Sequence, residues 1–128
     1  MDTGAKSGVG TYRDLVAWQK AMELAERVYR VTASFPEAER FGMVSQMRRS
    51  AVSVASNIAE GFGRVRRAEF VRFLEISKGS LFELQTQAEL ARRLGWIAGE
   101  ELAELRALSR ELDAVLRGLL GSLRRGKT

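Results

Sequence analysis

Four stretches of this chain repeat apolar residues in steps of three and four, and only short connections separate them. The first runs from about Leu15 to Ser34, with Leu15, Trp18, Met22, Ala25, Val28 or Tyr29, and Val31 or Thr32 on one stripe. The second, from about Phe41 to Glu60, is rich in small residues: Ser50, Ala51, Ser53, Ala55, Ser56 and Ala59. The third, from about Arg67 to Leu94, carries Phe70, Phe73 or Leu74, Ser77, Leu81, Leu84, Ala88, Ala91 and Leu94. The fourth, from about Glu100 to Leu123, carries Leu102, Leu105, Leu108, Leu112, Leu116, Leu119 and Leu123. Such steps trace one face of a helix and not the alternation of a strand. Each stripe needs an apolar surface to cover it, and connections of roughly three to eight residues force consecutive helices to run antiparallel. The pattern predicts an all-α fold, an antiparallel up-down four-helix bundle, spanning residues 12–123.

Residues 1–11, with several Gly, Ser and Thr, read as a flexible leader, and 124–128 as a short basic tail. The leader shows no charged-then-apolar signal pattern, so a cytoplasmic protein is expected. Thr11 or Asp14 is expected to cap the first helix, and Ser34-Phe35-Pro36 to end it, because the residue before proline resists helical geometry. Gly61 and Gly63 should close the second helix and Gly95 the third. Trp18, Phe70, Phe73, Phe82 and Trp96 fall at core spacing. Tyr12, Phe35, Phe41 and Phe62 are expected to close the ends of the core.

Chemistry is narrowed by what is missing. The 128 residues hold no cysteine and no histidine. That removes disulfides, thiolate and imidazole metal ligands, cysteine nucleophiles and every histidine-based triad. Five glutamates, Glu60, Glu69, Glu75, Glu83 and Glu89, invite comparison with carboxylate-bridged metal bundles, but those use Glu-x-x-His pairs. Gly61-Phe62-Gly63-Arg64 lacks the Lys-Ser/Thr ending of a phosphate-binding loop. No run of 18 apolar residues could span a bilayer. The basic, amphipathic stretch from Leu116 to Lys127 continues the fourth helix and reads as part of the bundle. No enzyme activity, cofactor, metal or membrane partner is expected.

The charge is uneven. Net charge is +5, carried mainly by arginine, and residues 40–78 hold 8 basic against 3 acidic groups. An up-down course would bring Lys6, Arg13, Arg64, Arg66, Arg67, Arg124, Arg125 and Lys127 to one end. It would bring Glu37, Glu39, Glu100, Glu101 and Glu104 to the other. Arg66 and Arg67 at the start of the third helix oppose its dipole and favour an anion there, partly offset by Glu69. Arg48, Arg49, Arg64, Arg66 and Arg67 are the candidate nucleic-acid contacts, set against the alternatives of a solvated face or a protein or membrane contact. On the second helix Gln46, Arg48, Arg49, Ser53, Asn57 and Glu60 form a polar set, and Arg49, Ser53, Asn57 and Glu60 share one face. Buried polar groups must be paired. Gln46, Ser53, Asn57 and Glu60 therefore read as a network that fixes helix register or a subunit contact, with a ligand or nucleic-acid site as the alternative.

Several runs resemble a known family: Leu15-Val16-Ala17-Trp18-Gln19-Lys20-Ala21, Phe35-Pro36, Gln46 through Gly61 with Ser53-Val54-Ala55-Ser56-Asn57-Ile58-Ala59-Glu60-Gly61, and Gly79-Ser80-Leu81-Phe82-Glu83-Leu84. The family is the four-helix bundle proteins first read from intervening sequences in bacterial 23S ribosomal RNA genes, sometimes labelled S23 ribosomal protein. Ala55 stands where the family motif commonly has proline. The resemblance, over about Tyr12 to Leu120, implies ring-like homopentamers and no enzyme activity. It also implies a fold similar to the accessory variability protein of diversity-generating retroelements, a pentamer that binds nucleic acid and a reverse transcriptase. The expected function is a non-enzymatic homo-oligomeric scaffold that contacts structured RNA or DNA. The alternative is a protein–protein adaptor with no nucleic-acid role.

Overall fold

The structure, a computed structural model, describes residues 10–126. Most of the leader, with Lys6, and the end of the tail, with Lys127, lie outside the described residues. Four helices follow one another: α1 (Val16–Thr32), α2 (Met43–Phe62), α3 (Arg67–Arg93) and α4 (Gly99–Arg124), with short 3-10 turns at Tyr12–Asp14 and Glu37–Glu39. Among the described residues there is no strand, and no helix is long and apolar enough to cross a membrane. Helix α1 packs against α2 and α4, and α3 packs against the same two, so the four close a ring around one core. At its centre Leu24, Val28, Met47, Val54, Ile58, Phe70, Leu74, Leu81, Leu84, Leu112, Leu116 and Leu123 are each almost wholly buried. Burying one such side chain stabilises the fold by about 1.5–3 kcal/mol.

The ends of the helices follow from local chemistry, not always as expected. Thr11 and Asp14 do form a reciprocal cap, but of the 3-10 turn: Thr11 Oγ1 accepts from Arg13 N at 2.8 Å and Asp14 Oδ2 from Thr11 N at 3.2 Å. Helix α1 then starts one step later, after Leu15, with no side-chain cap. Gly95, at φ +82, ends α3. Its N–H bonds Arg92 O at 3.0 Å while Trp96 N–H bonds Ala91 O at 2.9 Å, the paired closure a left-handed glycine permits. Trp96 is thereby laid against Phe35, ring centres 5.9 Å apart, so the connection after α1 meets the connection after α3. At α4 the Glu101 carboxylate accepts from Ala98 N at 3.0 Å.

Gly61 is not a helix end. It lies buried within α2, and a Cβ there would sit 2.7 Å from Phe73 Cβ. Gly63 is the C-cap, but with an ordinary right-handed φ of −76. Small residues, not a left-handed turn, govern this stretch. They let α2 and α3 approach until Ser77 Oγ donates to Val54 O at 2.8 Å in the buried core. Two stripe residues, Met22 and Leu94, and two aromatics, Phe82 and Phe41, depart from the sequence reading, being exposed, Phe82 at 46% and Phe41 at 87%. Leu81 takes the inward position beside Phe82, and Phe41 precedes the first turn of α2, where no helix covers it.

Candidate nucleic-acid interface and the polar cleft beside it

Three of the five candidate arginines gather where α2 passes into α3. Arg66 is the N-terminal flanking residue of α3, and no side chain caps that helix. The first backbone N–H groups of a helix have no partner within it; here Arg66 and Arg67 stand at that start, with Glu69 in the first turn. Arg66 is exposed. Arg67 is half-buried, and its Nε has no hydrogen-bond partner among the described residues. Arg64 pairs with Glu60 at 3.6 Å and lies over the Phe73 ring at 4.6 Å. The chain's last described residues come to the same place: a methyl group on Gly126 would lie 4.0 Å from Arg67 Nη1, and Arg124 pairs with Glu75. Tyr12, near the chain start, borders a groove that also reaches Ala59 in the last turns of α2. Arg13, Arg64, Arg66, Arg67, Arg124 and Arg125 thus share one end.

The opposite end is less acidic than the sequence reading expected. Arg92 and Arg93 close α3 beside Glu100 and Glu101, and Arg40 adds a third cation. Basic residues favour the last turn of a helix for dipole reasons, and they dilute the acidic cluster.

The other two candidates part company. Arg48 is a structural tie: its Nε donates to Thr32 Oγ1 at 2.9 Å and its Nη2 to Tyr29 O at 3.2 Å, with the guanidinium 4.4 Å from the Tyr29 ring centre. Arg49, one residue on, is exposed on the crest of α2. It lines an apolar groove with Tyr29, Phe41, Val44 and Val52 on one side, and a polar cleft towards α3 on the other.

The polar set on α2 divides as well. Asn57 Nδ2 donates to Ser53 O at 2.8 Å and Ser53 Oγ at 3.0 Å, and Ser53 Oγ meets Ser80 Oγ of α3 at 2.8 Å. Glu60 turns to Arg64 instead. Gln46 joins Arg49, Ser50 and Ser53 on the wall of the cleft, whose α3 wall is Ser80, Glu83 and Gln87. Sequence reasoning assigns no binding role to that α3 wall. A signal is present all the same: Gln87 lies three residues after Leu84 and six after Leu81, a polar residue at core spacing. Among the described residues no three acidic side chains gather closely enough to hold a metal ion.

A ring of four helices, arginine-rich at one end, without the ligand or nucleophile sets of common enzymes, defines a small basic helical-bundle protein. Residues 13–118 match the family described as 23S rRNA-intervening sequence protein, and the chain belongs to that family. It is also similar to a solved structure from Bacteroides thetaiotaomicron VPI-5482, described as a protein with unknown function from the S23 ribosomal protein family. That likeness has a TM-score of 0.76 at 27% identity, and covers 83% of this chain and 96% of the other. No curated protein matches the chain. Neither description names an enzymatic activity.

Proposed function

We propose that this chain is a non-enzymatic scaffold that contacts structured RNA or DNA through backbone phosphates at its arginine-rich end. The single observation that carries this reading is the uncapped start of α3, flanked by Arg64, Arg66 and Arg67 and joined by Arg124 and Arg125. Helix N-termini and arginine guanidinium groups both favour phosphate. Arg49 extends the surface along α2, whereas Arg48 contributes mainly by holding α2 to Tyr29 and Thr32. The bundle takes an up-down course with consecutive helices antiparallel. Partner positions support that course by running in opposite senses: Lys20 with Glu111 and Arg27 with Glu104 between α1 and α4, Glu75 with Arg124 and Glu89 with Arg106 between α3 and α4. Residues 12–123 form the one domain, in a cytoplasmic protein. The family resemblance further supports a homopentamer, in which several arginine-rich ends would meet a nucleic acid together.

The test is fluorescence anisotropy of labelled structured RNA and duplex DNA at low and moderate salt. Binding that weakens steeply with salt is expected, since each neutralised phosphate releases counterions. No binding at low salt by the assembled protein sinks the reading. One observation favours the second reading, a protein–protein adaptor: the groove between α1 and α2 leaves Tyr29, Phe41 and Val52 exposed, at 45%, 87% and 44%. A partner captured there would survive nuclease treatment and high salt.

A further inference from the structure

We propose that the cleft between α2 and α3 binds a free α-amino acid, with its carboxylate on the α2 wall at Arg49 and its ammonium on the α3 wall at Glu83 and Gln87. The cleft encloses about 430 Å³, within the range of about 300–1,000 Å³ usual for small-molecule sites.

Its two walls are chemically opposite. The α2 wall offers the donors of Gln46 and Arg49, one turn apart, with the Ser50 hydroxyl beside them. The α3 wall offers the carboxylate of Glu83 and the amide of Gln87, also one turn apart and so on one face. Arg49 and Glu83 carry opposite charges across the cleft, yet neither makes an ion pair or hydrogen bond with any described residue. Elsewhere on this surface acids and bases do find each other, as Glu60 with Arg64 and Lys20 with Glu111.

Gln87 is the second, independent observation. It is only 8% exposed, and its Oε1 is buried without a hydrogen-bond partner among the described residues. A buried acceptor calls for a donor. An ammonium held at Glu83 would supply it, because the two side chains are neighbours along α3. Between the walls, Ser53 and Ser80 are short enough to leave the space open, and their mutual hydrogen bond leaves the floor polar. A single zwitterion answers all three demands: anion for Arg49, cation for Glu83, N–H for Gln87.

The experiment is calorimetric titration of the full chain, free of nucleic acid, with the common L-α-amino acids, and with propylamine and propionate as half-probes. Saturable binding of at least one amino acid and of neither half-probe is expected. Glu83→Gln and Gln87→Met should each weaken it by about tenfold or more, with the ligand-free melting temperature not lowered and the mass by light scattering unchanged. Absence of saturable binding across the panel overturns the proposal, as does binding retained in both variants. A shift in assembly mass caused by either variant also overturns it, and assigns the cleft to a contact between copies. The outcome is independent of whether the arginine-rich end binds nucleic acid.

Discussion

At the scale of single residues, the most demanding position is Gly61. A methyl group there would meet Phe73 Cβ, fixed to the α3 backbone, at 2.7 Å and Cδ1 of the buried Phe70 ring at 3.0 Å. Gly61→Ala should lower the unfolding free energy by about 1–3 kcal/mol, the usual cost of overpacking, read by urea titration. Gln87 points the other way. Replacing its partnerless amide with the apolar, similarly sized Gln87→Met removes a buried unsatisfied group and should raise the unfolding free energy by about 1 kcal/mol. A loss of stability would mean that the amide is satisfied in solution. Arg48→Ala should cost about 1–2 kcal/mol by removing its hydrogen bonds to Thr32 and Tyr29, so any effect it has on nucleic-acid binding must be corrected for folding.

Helices α2 and α3 form the most intimate pair in the molecule, joined by Ser77 Oγ to Val54 O and by Ser53 to Ser80. Ser77→Val would remove the side-chain donor that Val54 O has across the seam and push a branched side chain into it. A drop in stability of about 2 kcal/mol is expected in thermal or urea unfolding. At this scale much is legible from sequence. The stripe Leu81, Leu84, Ala88, Ala91 and the left-handed Gly95 mark α3 to within a residue, because periodicity and a helix-ending glycine agree. The start of α1 is not legible. Thr11 and Asp14 stand three residues apart, the spacing that closes a 3-10 turn as readily as it caps a longer helix. The α2 polar face reads as one unit, since sequence places Arg49, Ser53, Asn57 and Glu60 in line. Their partners belong to different places: Ser80 on α3, Arg64 in the connection, and for Arg49 none among the described residues. Only the neighbouring helix reveals that, and pattern within one helix cannot.

For the whole molecule, the distribution of arginine matters more than its number. The combined substitution of Arg64, Arg66 and Arg67 by Glu should abolish or greatly weaken binding to structured RNA or DNA and flatten its salt dependence. The melting temperature should fall only slightly, since Arg66 is exposed and the Arg64–Glu60 pair and Arg64–Phe73 stack are surface contacts of small worth. Retained affinity would move the interface elsewhere, to the α1–α2 groove or to a protein partner. The two faces of α2 are therefore separable by mutation, one apolar towards α1 and one polar towards α3, with Arg49 on the crest between them.

The close seam of α2 and α3 also sets a clock. Its two helices meet over short side chains and share the buried Ser77–Val54 bond, whereas α4 and α1 share the core leucines and add half-exposed ion pairs such as Lys20–Glu111 and Arg27–Glu104. In deuterated water the amide hydrogens around Val54, Ile58, Leu74 and Ser77 should then be the last to be replaced, and only when the entire chain unfolds. Those of the outer turns of α1 and α4 should exchange earlier, through partial openings that leave the inner pair intact.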